Sequence, residues 1–244
     1  MSRPRESAKC LHVRAIFGLW HAHSREEATR LARLANATAR QILTSLAPGH
    51  IALVTGPSGS GKSTLLRAIT ARATKRRDTV IEGASIEIET HLGAPPRSRA
   101  GVDRSDSARV VDLFDLPIDQ TLCVLAAAGL AEARVFTAVA RELSEGQRDR
   151  LRLALALARA ESPGSREPML IVDEFAGRLD RITAHSVAAS LRRWKTNTRI
   201  VCVTSHDDLR DSLMPDMHIE LSMMGPSRIV AATRRGTARK GRGG

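Results

Sequence analysis

Nine consecutive residues in the first third of the chain, Gly56-Pro57-Ser58-Gly59-Ser60-Gly61-Lys62-Ser63-Thr64, restrict its possible folds more than any other segment. They match the pattern GxxxxGK[ST], which acts as a phosphate-binding loop when it lies between a strand and a helix. The preceding run, 51–55, is short, apolar and rich in β-branched residues, which is typical of a buried strand. This segment therefore predicts an α/β fold that binds a phosphorylated ligand.

The chemistry of this loop assigns a role to each part of it. Its glycines let the backbone curl, so that several N–H groups and the positive end of the following helix point at phosphate oxygens. Lys62 is expected to reach the β- and γ-phosphates, and the Ser63 hydroxyl to ligate Mg²⁺. A glycine-rich turn without a ligand is the alternative. The residues expected to contact the nucleotide here are Gly56, Ser58, Gly59, Ser60, Gly61, Lys62, Ser63 and Thr64.

Two adjacent acids follow a second apolar segment, 169–172. At the carboxyl end of a parallel strand, Asp173 and Glu174 would face the phosphate loop. Asp173 is placed to hold Mg²⁺, and Glu174 to orient and polarise an attacking water. A solvated strand end is the alternative.

Apolar strand-like runs alternate with helical patterns along the rest of the chain, which predicts a largely parallel sheet. Strands are expected at 80–88 and 200–203, and a final hairpin at 219–230. Helical spacing runs from about 116 to 160, whereas 92–108 reads as a polar loop.

Composition excludes several classes of protein. There is no Tyr and there are only two Trp and four Phe, which argues against reading single strands by ring stacking. The three cysteines are far apart, and the apolar stretch 122–131 is about half of what a bilayer crossing needs. We therefore expect a soluble, cytoplasmic chain. The net charge of +12 is concentrated at the ends: four cations and one acid in 1–14, and five cations without an acid in 234–244.

The pentapeptide Leu143-Ser144-Glu145-Gly146-Gln147 precedes a predicted helix and, taken alone, is a helix-capping sequence. It also resembles LSGGQ, the signature motif of ABC-type ATPases. Further similarities follow in that family's order. Residues 176–180 resemble the loop after the second acid, and 204–207 follow an apolar strand as the family's switch histidine does. The resemblance to ABC-type ATPases covers about residues 51–207.

This resemblance implies that the ligand is ATP with Mg²⁺ and that two ATPase domains face head to tail. Each ATP would be bound by the phosphate loop of one domain and by Ser144, Gly146 and Gln147 of the other. His206 would contact the γ-phosphate and help to set the attacking water, and Asp180 would link the two sites. Because this chain has one such domain, a homodimer or a partner ATPase is implied.

The chain also departs from the pattern of transporter ATPases. These carry a glutamine between the phosphate loop and the signature, whereas 109–115 has none and Gln120 lies too late. Asp112 is a candidate replacement as a metal ligand, because a carboxylate also suits Mg²⁺; a solvated or capping acid is the alternative. Phe17 and Trp20 are the candidates for the family's adenine-stacking aromatic, with core packing as the alternative.

A narrower resemblance covers most of the chain. Five segments together are similar to bacterial and archaeal ABC-type ATPases that are fused to a predicted acetyltransferase domain: 111–117, 128–130, 143–150, 173–175 and 179–181. We expect no such second domain within these 244 residues. The family's usual proline after its Asp-Glu pair is replaced by Phe175.

The expected organisation is a basic lead-in (1–14), an ABC-type ATPase domain (15–233) with a helical signature subdomain at about 112–162, and a basic, disordered tail (234–244). The fold expected is an α/β P-loop NTPase core with a mixed, largely parallel sheet. ATP hydrolysis coupled to an unknown process is the predicted function. The alternatives are a transporter subunit that works with membrane proteins, and a switch that acts on nucleic acid through the basic ends.

Overall fold

The computed structural model of this chain describes residues 7–17, 25–76, 78–82, 108–161, 166–194, 196–222 and 227–231. Four features considered above lie outside these residues: Trp20, the later part of the strand region 80–88, nearly all of the polar loop 92–108, and the tail 234–244.

The strands of the described residues form one six-stranded sheet, and the order of its strands explains how distant motifs meet. The strands are β1 (Ile51–Thr55), β2 (Val80–Glu82), β3 (Met169–Val172), β4 (Arg199–Thr204), β5 (Met217–Glu220) and β6 (Arg228–Ala231). Their order is β2-β3-β4-β1-β5-β6. All neighbouring pairs are parallel except β5 and β6, which form the expected antiparallel hairpin. The expectation of a mixed, largely parallel sheet is confirmed.

Helices precede, connect and cover these strands. They are α1 (Ala8–Phe17), α2 (Arg25–Ser45), α3 (Lys62–Lys75), α4 (Ile118–Ala127), α5 (Ala133–Phe136), α6 (Glu145–Ala160), α7 (Arg181–Arg193) and α8 (Arg210–Leu213), with short 3₁₀ helices at Val110–Leu113 and Ala140–Glu142. Part of the basic lead-in (1–14) is helical, since α1 begins at Ala8. Its Leu11, Val13 and Ile16 side chains are exposed.

The helical stretch expected between 116 and 160 is broken into shorter helices, and Gly129 shows why. Gly129 follows α4 with φ of +80°, in the left-handed region that favours glycine. A Cβ on this residue would lie 2.7 Å from the Val187 side chain of α7. The chain therefore turns here and returns through α6, whose Arg150 donates a hydrogen bond to the Gly129 carbonyl at 2.7 Å.

Alternation along β1 divides the core into two layers. Ala52 and Val54 face a cluster that includes α2 and α3, whereas Ile51 and Leu53 face a cluster that includes α4, α6 and α7. Helices thus cover both faces of the sheet, as expected for a parallel sheet. Because β1, β3 and β4 are adjacent and parallel, their carboxyl ends lie at one edge.

Candidate active site

The phosphate loop lies between β1 and α3, as its sequence pattern requires. Gly56, the first residue after β1, is held so closely that a Cβ there would lie 2.7 Å from Ser60 Oγ and 2.8 Å from the Leu221 carbonyl oxygen. Ser60 is buried under the loop, and its N–H donates to the Pro57 carbonyl at 3.2 Å. The loop is therefore a compact, internally bonded turn before α3 begins at Lys62.

Lys62 folds back over the loop. Its Nζ donates to the Gly56 carbonyl at 2.6 Å and to the Pro57 carbonyl at 2.9 Å. The ammonium group is thus held beside the loop, with neutral oxygens as its acceptors. Anionic oxygens would bind it more strongly.

A cleft of about 350 Å³ opens above this loop, at the carboxyl edge of the sheet. We call it the phosphate-loop cleft. It is lined by Ser58, Gly59, Gly61, Lys62, Ser63 and Thr64, by Asp173 and Glu174 after β3, and by Val203, Thr204 and Ser205 at the end of β4. The fold thus brings together segments that are more than a hundred residues apart in the sequence.

The turn after β3 sets the direction of the two acids. The Glu174 N–H donates to Asp173 Oδ1 at 2.9 Å, and Glu174 itself has a positive φ of 49°. Phe175 is buried and donates its N–H to the Val203 carbonyl at 2.7 Å, which fixes this turn to β4. A proline at position 175 could not make that bond, which gives a physical reason against proline here. Glu174 is left exposed at the cleft.

The segment after β4 carries His206. Its N–H donates to the hydroxyl of buried Thr204 at 3.2 Å, and the residue is half-buried. The neighbouring Ser205 lines the phosphate-loop cleft, whereas His206 is outside the lining. The role expected for His206 stays a prediction.

The signature segment (143–147) forms the start of α6. Ser144 is the N-cap: its hydroxyl accepts from the Gln147 N–H at 3.2 Å, and the Gln147 side chain accepts from the Ser144 N–H at 2.9 Å. These two bonds form a capping box, as the sequence taken alone also predicted. Ser144 is exposed, and Ser144, Gly146 and Gln147 lie outside the lining of the phosphate-loop cleft of the same chain.

Asp180 and Asp112 are also placed away from the lining of this cleft. Asp180 caps α7, where its carboxylate accepts from the Thr183 N–H at 3.0 Å; hydrogen bonding with Thr183 lowers the pKa of this exposed group. Asp112 is exposed in the 3₁₀ helix Val110–Leu113. The proposed replacement of the missing glutamine by Asp112 stays a prediction.

The sequence analysis missed one residue that supports the loop. His218 of β5 is buried, and its Nε2 lies 2.9 Å from the hydroxyl of Thr55, the residue just before the loop. The pKa of His218 is lowered, mainly by burial and further by the positive charge of Arg210. The carboxylates of Glu220 and Asp207 partly oppose this lowering. The available signal was a histidine between two apolar residues, Met217 and Ile219.

We expect His218 to make the stability of the chain depend on pH. The folded state has the lower pKa, so the unfolded chain, with a pKa of about 6.5, takes up the proton more readily as the pH falls. The free energy of unfolding should therefore fall from about pH 7 to pH 5 more steeply in the native chain than in His218→Gln. Urea unfolding at several pH values measures this. Parallel curves for the two proteins would contradict it.

Comparisons with known proteins agree with this geometry. The ABC transporter family matches residues 39–176. The phosphonates import ATP-binding protein PhnC of Hyphomonas neptunium is 31% identical over 170 residues, which are 59% of this chain and 62% of that protein. The hemin import ATP-binding protein HmuV of Pseudomonas putida is 28% identical over 203 residues, which are 74% of this chain and 76% of that protein. The match to PhnC thus spans less than two thirds of its length.

Solved structures are similar in fold. The dimeric post-hydrolysis state of the ATP-binding cassette MJ0796, bound to ADP and Pi, superposes with a TM-score of 0.51 at 20% identity, over 78% of this chain and 88% of that one. At this low sequence identity, the similarity shows a shared fold.

Within the described part of the chain, no helix combines the length and apolar character needed to cross a bilayer.

Proposed function

The chain belongs to the ABC transporter family, and on that premise we propose that it binds ATP with Mg²⁺, hydrolyses it to ADP and phosphate, and dimerises head to tail on ATP. One observation carries the proposal: a single cleft is lined by the phosphate loop, by two acids after β3 and by the end of β4. This arrangement combines phosphate binding with a carboxylate that can activate water.

The phosphate loop and α3 would hold the triphosphate. Lys62 would exchange its two carbonyl acceptors for β- and γ-phosphate oxygens, which are charged and therefore stronger partners. Ser63 and Asp173 line the same cleft and supply hydroxyl and carboxylate oxygens, the donors that fit Mg²⁺. The metal, when bound, neutralises phosphate charge. Gly56, Ser60 and Thr64 complete the loop around the phosphates.

Glu174 is the proposed catalytic residue. Its exposed carboxylate at the phosphate-loop cleft can orient a water and accept a proton as the water attacks the γ-phosphate. His206 follows the lining residue Ser205, and we assign to it a contact with the γ-phosphate that helps to hold that water. Both assignments rest on the position of these residues at the ends of adjacent strands.

The proposed dimer gives a role to the signature residues, which do not line the phosphate-loop cleft of their own chain. Exposed Ser144 and half-buried Gly146 and Gln147 lie at the start of α6, outside the cleft lining. We propose that they bind the γ-phosphate held by a second copy, and that Asp180 links the two sites. In a homodimer, the signature segment of each chain can complete the cleft of the other, so one kind of chain is sufficient.

A second candidate function is that of an ATP-binding subunit of an import transporter. The names of PhnC and HmuV as import ATP-binding proteins favour it. In that case the chain would contact a membrane protein from the cytoplasmic side, where ATP is available. Co-purification of a membrane protein with the chain is the test of this alternative.

We expect the purified chain to bind a fluorescent ATP analogue and to release phosphate from ATP. Chelation of Mg²⁺ should lower the rate of release at least about tenfold, since the metal neutralises the phosphates. A chain that neither binds the analogue nor releases phosphate, although circular dichroism shows it folded, would contradict the proposed function.

A further inference from the structure

The positive charge of the chain has a second centre besides its two ends. Residues 25–76 contain nine Lys and Arg against two Glu, a net charge of +7 out of +12. Of these nine cations, Lys62 belongs to the phosphate loop. The others lie on α2, on α3 and at the end of α3, two helices that pack against each other on one face of the sheet.

Seven of these cations have described side chains, and six of the seven are exposed, with Arg72 half-buried. Along α2, Arg33 and Arg40 are exposed on the side opposite to Ala39 and Ile42, which are fully buried. The helical rise from Arg30 to Arg40 is about 15 Å, which is the span of about four phosphates along one DNA strand. The α2–α3 basic surface consists of Arg30, Arg33, Arg40, Arg67, Arg72, Lys75 and Arg76.

Hydrogen bonds hold some of these guanidinium groups in place between the two helices. Arg72 Nε donates to Asn36 Oδ1 at 3.2 Å, and Arg76 Nη1 donates to the Leu43 carbonyl at 2.9 Å. Both acceptors are neutral, so the positive charge is positioned without being neutralised. Ordering these long side chains in advance reduces the entropy that an anionic partner would have to remove.

Six arginines elsewhere in the described residues are paired with acids, in contrast to this surface. Within the described part of the chain, none of the seven cations forms an ion pair. On the other side of the sheet and at its amino edge, the pairs are Arg150–Glu132, Arg152–Asp149, Arg178–Asp149, Arg181–Asp208, Arg192–Asp216 and Arg199–Asp78. The seven cations of the α2–α3 basic surface thus keep their charge without an acidic partner among the described residues.

We propose that the α2–α3 basic surface binds the phosphate backbone of double-stranded nucleic acid. Six of its seven cations are arginines, whose planar fork matches phosphate oxygens. The exposed residues between them are small, such as Ala37, Ala71 and Thr74, so the surface lacks the large apolar side chains that insert into a lipid bilayer. It also lacks aromatic residues on which single-stranded bases could stack.

The double variant Arg33→Glu/Arg40→Glu should lose at least about tenfold in affinity for a short fluorescent DNA duplex. The slope of log affinity against log salt, between about 50 and 200 mM, should fall by about 2 because two phosphate contacts are lost. Fluorescence anisotropy of the full chain measures both quantities. A duplex RNA in parallel shows which of the two nucleic acids the surface prefers.

A matched control separates this surface from net charge. Arg134→Glu/Arg193→Glu changes the charge equally on exposed positions of α5 and α7, and should keep duplex affinity within about twofold. ATP hydrolysis in the absence of nucleic acid should be unchanged in both double variants. This assay therefore tests the proposed ATPase function independently of duplex binding. Three results would overturn the proposal: equal losses in both double variants, loss only on deletion of 234–244, or binding to phosphatidylserine vesicles without binding to either duplex.

Discussion

Glu174→Gln should lower ATP hydrolysis at least about 100-fold while ATP still binds. The amide has the shape of the carboxylate but cannot take the proton of the attacking water. The backbone turn that carries residue 174 is fixed by neighbouring groups, the Asp173 carboxylate and the Phe175–Val203 hydrogen bond, so the substitution leaves its geometry intact. The loss should therefore appear in kcat rather than in KM.

The same variant should accumulate as an ATP-bound dimer. If hydrolysis separates the two chains, blocking it leaves them joined, and size-exclusion chromatography with ATP should show a dimer that the native chain forms only transiently. Glu132→Gln is the matched control, because Glu132 is exposed and outside the phosphate-loop cleft. Wild-type hydrolysis by Glu174→Gln would show that the assignment is wrong.

The parts of the site that lie within a few residues of one another could be predicted from the sequence. The phosphate loop is a continuous segment whose glycines and Lys62 define its geometry, and the apolar runs before Gly56 and Asp173 are typical of buried strands. Their meeting at one edge follows from parallel pairing, which the alternation of strands and helices predicts.

Contacts between distant segments could not be predicted in this way. The bond between His218 and Thr55 depends on the register of β5 against β1, which periodicity does not specify. The break at Gly129 depends on Val187 of α7, more than fifty residues later. The sequence likewise indicates a concentration of positive charge only at the two ends. The cations of α2 and α3 form one surface because these helices pack against each other, and this tertiary contact is not specified by local sequence.

The central claim is that each ATP site is completed by the signature segment of a second chain. Lys62→Ala removes the cation of the phosphate loop. Gly146→Asp places a carboxylate in the first turn of α6, where it would repel the partner's γ-phosphate. A Cβ at 146 lies 3.1 Å from the tip of the Leu179 side chain, which is flexible enough to move, so the variant should fold. Each variant alone should lose hydrolysis at least about 100-fold.

Mixing the two inactive variants tests the claim most directly. A mixed dimer has one site with both lesions and one site with neither, since the intact loop of the Gly146→Asp chain meets the intact signature of the Lys62→Ala chain. We expect phosphate release from the mixture to rise at least about tenfold above either variant alone, towards about a quarter of the wild-type rate. A mixture no more active than its components would contradict a site shared between two chains.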